Sequence, residues 1–428
     1  MNTSILIDIS QLRVGMYIQL DVGWMHHPFP VSSFRVASQE QIATLRALNL
    51  TQVRYIPSRS DPLPAGVPEP EAAEPESAAP QAQPAAIPEE LAVRQRRLAL
   101  EIQKQELEAC DRRFGEATRS YLQITEVVAG QPDQARALGQ ALVDGCVSEL
   151  LSNGDSVIRL LSEDVGVRGA LHPVNVMVVT LLLGKALGLE NRQLGELGMA
   201  ALLHDLGKLA LPHHVAEPYA HLSPAELARY ESHVGESVAQ AERMGLPVPV
   251  VTAIAQHHER ADGSGFPLRL LGEDLGRYGQ MLALVNRYDR LCNPAHGTDA
   301  LTPHEALSVM FAQLKAQFDP VILGAFIRMM GVYPPGSIVQ LVNDRYAIVV
   351  SVNSSRPLRP RVVVHDPSVP KEQALILDLE TVPELGIRRS LRPAQLPREA
   401  LDYLSPRQRV CYFFERAVGL TPGREVAA

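Results

Sequence analysis

Hydrophobic positions along the chain follow two periods, and the changes from one to the other mark out its parts. Ile5 to Ile9, Met16 to Val22 and Thr51 to Ile56 are short apolar runs, the first two flanking the turn Arg13-Val14-Gly15, and Ser38-Gln39-Glu40-Gln41 opens a helix to about Leu48. Residues 1–60 are therefore expected to form a small α/β module. From Glu89 to about Arg113, Leu91, Leu98, Ile102 and Leu107 recur among charged residues, and further helices are predicted over about 114–129 and 133–152. Residues 155–331 are helical in pattern almost throughout. Their most apolar run, Val174 to Leu189, is interrupted by Asn175, Gly184 and Lys185 and is predicted to be a buried core helix rather than a membrane span. Past Gly331 the period shortens. Tyr333-Pro334-Pro335-Gly336 makes a turn, Ser337 to Val342, Tyr346 to Val352, Arg361 to His365 and Leu375 to Leu379 are predicted strands, and a helix is expected over about 397–417.

The expected architecture is multidomain. An all-α core at 155–331 is flanked by the small α/β N-terminal module at 1–60 and a small β-rich C-terminal domain at 332–417 with a terminal helix. A linker at 61–88 and a helical connector at 89–154 join them, and a tail occupies 418–428. The linker holds eight prolines among Ala, Glu and Gln, a mixture that buries too little apolar surface to offset chain entropy. The connector packs against its neighbour or serves as a dimerising, signal-relaying helix.

Composition narrows the function classes. The net charge is −8, but residues 61–90 hold seven acids and no Lys or Arg, so the folded parts are near neutral and a nucleic-acid polymer is not the expected partner. Cys110, Cys146, Cys292 and Cys411 are scattered, which suggests neither a disulfide framework nor a zinc knuckle. Met1 to Ser10 has no basic region and no long apolar stretch, so the expectation is a cytoplasmic protein without a secretory signal.

The candidate chemistry starts at His204-Asp205-Leu206-Gly207-Lys208, which places a carboxylate, an imidazole and a lysine in the apolar run Leu197 to Leu211. Such groups are costly to bury unless they bind a metal, pair or react. Eight of the thirteen histidines lie between His172 and His258. His172 opens a buried helix, His233 begins another, and His257-His258-Glu259 closes a third. Imidazole with carboxylate and no nearby thiolate suits iron, manganese or catalytic zinc. Five imidazoles and one carboxylate exceed the needs of one ion, and two ions bridged by Asp205 would use them all. His213, His214 and His221 are expected on an exposed polar loop. Glu259 is either a residue orienting a ligand or a solvated helix end, and Asp262 is expected to stabilise the glycine-rich loop.

His204-Asp205, together with His257-His258-Glu259-Arg260-Ala261-Asp262-Gly263-Ser264-Gly265-Phe266-Pro267, resembles the HD-GYP domain, a subgroup of the HD phosphohydrolase superfamily. The resemblance covers about residues 155–331. Residues 1–60 resemble the small domain of unknown function that commonly precedes HD-GYP domains. The resemblance implies an all-α HD-GYP core, two divalent ions, iron or manganese, and hydrolysis of cyclic di-GMP to pGpG or GMP by a metal-bridged hydroxide. It makes His172, His204, Asp205, His233, His257, His258 and Asn286 the metal ligands and Asp205 and Lys208 the catalytic pair. Lys208, Gly263, Gly265, Phe266, Pro267, Arg287 and Arg290 become the substrate contacts, although ion pairing is an equal alternative for the two arginines. Cyclic di-GMP, GGDEF-type signalling proteins and a second copy of the chain are the partners it suggests.

The chain departs from the family pattern at four places. Phe266 stands for the usual tyrosine, Asn286 for an aspartate ligand, Arg168 for the glutamate of a third metal, and Glu217-Pro218 for Lys-Pro. An amide at 286 brings no charge to a metal. It therefore also fits a domain that binds cyclic di-GMP without cleaving it, and a phosphohydrolase of another nucleotide is the third reading.

Overall fold

The computed structural model of the chain describes residues 4–20, 33–36, 38–47, 50, 52–61, 89–152, 156–217, 222–295, 300–353, 358–382 and 385–416. The expected linker beyond Asp61, the tail at 418–428 and His221 lie outside the described residues. The chain forms two compact units, Met1–Glu89 and Glu90–Ala428.

In the first unit, strands β1 (Ile5–Asp8), β2 (Tyr17–Gln19), β3 (Ser33–Arg35) and β4 (Gln52–Tyr55) make an antiparallel sheet in the order β1-β4-β2-β3. Helix α1 (Gln39–Ala47) lies between β3 and β4 in the chain. Ile7 and Val53 pair across the sheet and bury their side chains with Ile18, Ile42 and Leu45. Strand β3 was not expected, because three residues are too few to display an alternation.

The second unit begins with α2 (Glu89–Val127), a single 39-residue helix where the sequence suggested two. Cys110, Phe114, Ala117, Tyr121 and Ile124 form an unbroken buried stripe at helical spacing, so packing carries the helix through Gly115. Helices α3 (Pro132–Ser152), α4 (Leu171–Ala186) and α5 (Asn191–Leu203) follow. Every residue of α4 from Pro173 to Gly184 is buried. A β-carbon at Gly184 would stand 2.8 Å from Leu194 Cδ2, which is why α5 can cross there so closely. The stretch Arg168–Ala186 is long and apolar enough to cross a membrane, but 72% of its apolar window is buried inside the unit. It is the core helix that the sequence predicts.

Helices α6 (His213–Ala216), α7 (Pro224–Glu231), α8 (His233–Arg243), α9 (Val248–Gln256), α10 (Arg277–Cys292), α11 (Pro303–Ala312) and α12 (Pro320–Met330) complete the helical part. Ser223 starts α7 through a reciprocal capping box with Glu226.

Seven antiparallel strands form a second sheet: β5 (Ser156–Leu160), β6 (Ile338–Leu341), β7 (Tyr346–Asn353), β8 (Arg361–Val364), β9 (Ile376–Asp378), β10 (Ile387–Leu391) and β11 (Tyr412–Arg416). The order is β10-β6-β7-β5-β11, with β8 and β9 branching from β7. Two expectations change here. The sheet recruits β5 from the start of the stretch 155–331 that was expected to be all-α, so that stretch is not purely helical and the strands do not come from 332–417 alone. The terminal helix is also only α13 (Arg398–Leu404), and the chain then pairs as β11 with β5. Ser405 in a left-handed conformation followed by Pro406 stops the helix, and the run Val410 to Phe414 is aromatic and β-prone.

Arg159 of β5 and Glu415 of β11 form an ion pair at 3.2 Å with side chains only 4% and 5% exposed. The pKa of Glu106, on α2, is raised above the ordinary 4.5 by burial first and then by the charge of Glu415. In the window between 4.5 and that raised pKa, folded Glu106 holds a proton that the unfolded chain has lost, so stability falls as pH rises through it. Glu106→Gln keeps a neutral hydrogen-bonding group at that position. The variant should melt at a higher temperature than the native protein at pH 8, and the two should converge as pH falls towards 4.5; equal melting curves at both pH values would refute the assignment.

Candidate metal centre

The apolar pattern predicts one helix through His204 and Asp205, but α5 ends at Leu203. His204 caps it, and Asp205 leads into a 3-10 turn over Leu206–Ala210. Gly207 permits this turn to lie against the start of α8: a β-carbon there would stand 2.0 Å from His233 O and 2.6 Å from Ser237 N. Gly207 N also donates to Ser237 Oγ at 2.8 Å. The same close approach brings His233 to the His204-Asp205 pair.

Three histidines use one local device. His204 follows α5, His257 follows α9, and His233 comes two residues after α7 ends. Each donates its Nδ1–H to the carbonyl three residues earlier, His204 to Ala201 O at 2.7 Å, His257 to Ile254 O at 2.6 Å and His233 to Tyr230 O at 2.5 Å. The carbonyls of a helix's last turn have no intrahelical partner and are available as acceptors. A carbonyl can only accept, so the ring hydrogen sits on Nδ1 and the Nε2 lone pair is left facing inward. His172 does the same against a carboxylate, with Nδ1 at 2.5 Å from Asp289 Oδ2.

The Nε2 atoms converge on Asp205. Its Oδ1 lies 3.3 Å from His233 Nε2 and 3.5 Å from His257 Nε2, and its Oδ2 lies 3.4 Å from His172 Nε2 and 3.5 Å from His204 Nε2. Four ligands at about 2.1 Å around a tetrahedral ion stand roughly 3.4 Å apart, which is this spacing. Asp205, His233, His257 and His258 form one group with ligand atoms within 4.8 Å of one another, and His172, His204 and Asp205 form another. Asp205 Oδ1 and His258 Nε2 are buried with no hydrogen-bond partner among the described residues. Orphaned polar atoms of this kind are satisfied by a cation, so the donor set fits divalent metal.

The charges agree with this arrangement. Burial opposes ionisation of Asp205, but Lys208, His204 and Arg290 outweigh it and hold the carboxyl well below the usual range. Burial pushes His204 and His258 well below 6.5 and brings His257 down to about 4 against the attraction of Asp205. Imidazoles held neutral in this way are competent ligands.

Asp289, which sequence reading passed over, anchors the far side. Besides His172 it accepts from Asn175 Nδ2 at 2.5 Å and Asn293 Nδ2 at 2.9 Å. Those two asparagines in turn bond the backbone at the start of β11. Asn175 Oδ1 accepts from Tyr412 N at 2.8 Å, and Asn293 Oδ1 accepts from Val410 N at 2.7 Å. A buried Asp one turn after Asn286 on an apolar helix was the available signal. Tyr230 was also passed over; its ring lies 4.9 Å from that of His233 and 5.6 Å from Lys208 Nζ.

The glycine-rich loop borders the site. Phe266 stacks on His258 with ring centroids 4.4 Å apart. Pro267 follows it, and Gly263 takes a φ of +76°. Gly265 packs so tightly on the preceding segment that a β-carbon would lie 2.5 Å from Glu259 Cα. Glu259 is neither a ligand-orienting residue nor solvated. It is 2% exposed and accepts from the N–H groups of Leu268, Arg269 and Leu270 at 2.6, 3.2 and 3.0 Å. Asp262 Oδ1 accepts from Ser264 N and Oγ, the loop-stabilising role expected of it.

Two placements differ from expectation, and Arg290 takes the ion-pairing alternative already open to it. Asn286 is not presented as a metal ligand, because its Oδ1 accepts from Arg290 Nε at 3.0 Å while its Nδ2 donates to His257 O at 3.4 Å. Arg290 turns inward onto Asp205 Oδ2 at 3.0 Å instead of facing substrate. His213 and His214 open the short helix α6 instead of lying on a loop; they are exposed there, with Glu217 and Glu226 as ion-pair partners.

Two family models match the chain, an HD domain over residues 157–322 and a domain of unknown function, DUF3391, over residues 4–137. The chain is 29% identical over 369 residues to the cyclic di-GMP phosphodiesterase PA4108 of Pseudomonas aeruginosa, covering 84% of each protein. It is 32% identical over 150 residues to the cyclic di-GMP phosphodiesterase response regulator RpfG of Xanthomonas campestris pv. campestris, covering 34% of this chain and 39% of that protein. The solved structure of Bd1817, a HDG"Y"P protein from Bdellovibrio bacteriovorus, aligns with 76% of this chain and 98% of its own at 16% identity and a TM-score of 0.42.

Two measurements check these assignments. Glu259→Ala removes a carboxylate serving three backbone donors and should cost about 2–4 kcal/mol in urea unfolding, with hydrogen exchange accelerated over residues 260–276. Asp289→Asn should weaken metal binding by about 10- to 100-fold while the fold is retained, and unaltered affinity would remove its orienting role.

Proposed function

We propose that the chain is an HD-domain protein with an N-terminal DUF3391 domain and a metal-dependent phosphodiesterase that hydrolyses cyclic di-GMP to pGpG or GMP. The observation that carries this reading is the convergence of four imidazole Nε2 atoms on the two oxygens of one buried carboxylate, with each ring's hydrogen fixed on the opposite nitrogen. His172, His204, His233, His257, His258 and Asp205 would hold two divalent ions, iron or manganese, which would supply Lewis-acid polarisation of a phosphoryl oxygen and a water acidic enough to attack near neutral pH.

The chain's own groups complete the site. Lys208 Nζ, hydrogen-bonded to Asp205 and only 16% exposed, is the donor for the charge that develops on the phosphoryl oxygens. Arg287 has a buried Nε without a partner, and its pKa is lowered by burial first and then by the charges of Arg260 and Arg290. Crowded cations of this kind are relieved by an anionic ligand, and a cyclic dinucleotide brings two phosphates. Phe266, stacked on His258, offers an apolar edge beside the ligand atoms.

The reaction is placed in the reducing cytoplasm, in keeping with four free, buried cysteines. The partners are GGDEF-type signalling proteins and, through the exposed Val93 and Leu98 of α2, a second copy of the chain.

Purified protein loaded with Mn²⁺ or Fe²⁺ should release pGpG or GMP from cyclic di-GMP, and a chelator should stop it. Asp205→Asn should lower kcat/KM by at least about 10³-fold and Lys208→Ala by about 10²-fold. Tight binding of cyclic di-GMP with no turnover under any divalent ion would replace the enzyme reading by that of a ligand-binding signalling domain.

A further inference from the structure

The two oxygens of Asp205 are not equivalent. Oδ1 is buried, has no hydrogen-bond partner, and lies between His233 Nε2 and His257 Nε2 at 3.3 and 3.5 Å. Oδ2 already accepts from two cations, Lys208 Nζ at 2.5 Å and Arg290 Nη2 at 3.0 Å. A carboxylate oxygen has about two lone pairs, so Oδ2 is committed while Oδ1 is free.

Arg290 is held in this position from both ends. Its Nε donates to Asn286 Oδ1 at 3.0 Å, and Asn286 is itself 1% exposed and tied to His257 O. The guanidinium thus bridges α10 to the carboxylate that the two ligand groups share. Arg290 keeps 29% of its side chain exposed, which leaves it a route outward.

The consequence falls on one ligand group more than the other. His233, His257, His258 and Asp205 Oδ1 offer four donors, one of them an uncommitted anionic oxygen. His172 and His204 offer two imidazole rings and share an oxygen that two cations already occupy. A divalent ion seated there meets the fixed charge of Arg290 at close range, where like charges repel strongly.

On the reading of this site as a metal centre, we infer that Arg290 makes its two ion positions unequal. The position at His233, His257 and His258 fills first and tightly, and the position at His172 and His204 fills weakly until Arg290 leaves Asp205 Oδ2. Arg290 acts here as a positioning residue, setting metal stoichiometry through Asp205.

Mn²⁺ alone, titrated into metal-free full-length protein and followed by equilibrium dialysis with spin-resonance detection, tests the inference without any turnover. The native protein should bind one ion tightly and a second at least about 100-fold more weakly, and Arg290→Gln should narrow that gap at least about tenfold, whereas Arg290→Lys should preserve most of it. Independently of any Arg290 variant, His258→Ala should remove the tight ion and His172→Ala the weak one. Two ions of equal affinity in the native protein, an unchanged gap in folded Arg290→Gln, or the reverse assignment from the histidine variants would overturn the inference and leave the metal centre standing. No Mn²⁺ binding at all would overturn the metal-centre reading and this inference with it.

Discussion

The hydrogen bond from imidazole Nδ1–H to a helix-end carbonyl is the interaction on which the centre rests. His204, His233 and His257 all sit just past helices whose last-turn carbonyls lack intrahelical donors, and each ring N–H donates to the carbonyl three residues back. One bond therefore satisfies a backbone acceptor, selects the tautomer and aims Nε2. Because helix ends are placed by core packing, the ligand geometry inherits the rigidity of the α4 and α5 core. The break in the helix after Leu203 leaves the Ala201 carbonyl open to the His204 ring.

Asp205 then decides how that ring of lone pairs can be used. Its charge persists in a buried place because Lys208 and Arg290 stand on one of its oxygens, while the other lies beside the Nε2 atoms of His233 and His257 and has no hydrogen-bond partner among the described residues. The asymmetry comes from α10, where Asn286 holds Arg290 by Nε and leaves Nη2 for Asp205. An amide at 286 is well suited to this task, since it offers an acceptor to the arginine and a donor to His257 O at once.

The strand-rich region is joined to the centre by polar contacts. His172, Asp289, Asn175 and Asn293 form a buried chain of hydrogen bonds that ends on the backbone of Val410 and Tyr412, where β11 begins. β11 pairs with β5 along its whole length, and Arg159 and Glu415 are buried between them as an ion pair. Removing either partner would leave an uncompensated buried charge, which is strongly destabilising. One ligand histidine is thus oriented by a segment more than two hundred residues away in the chain.

Sequence alone determined the helical core, the buried character of α4, the strands from 338 to 378 and the identity of the histidines and carboxylate that meet, because periodicity and residue chemistry are local properties. It could not resolve the 3-10 turn at Leu206, since an α-helix and a 3-10 turn bury nearly the same apolar residues. Nor could it pair β11 with β5, which depends on contacts across most of the second unit, or distinguish Glu259 as a loop anchor from a solvated acid. The roles of Asn286, Arg290 and Asp289 were decided only by the tertiary structure. An amide, a guanidinium and a carboxylate on one helix can face metal, substrate or one another, and what they touch is set by the elements that pack opposite them.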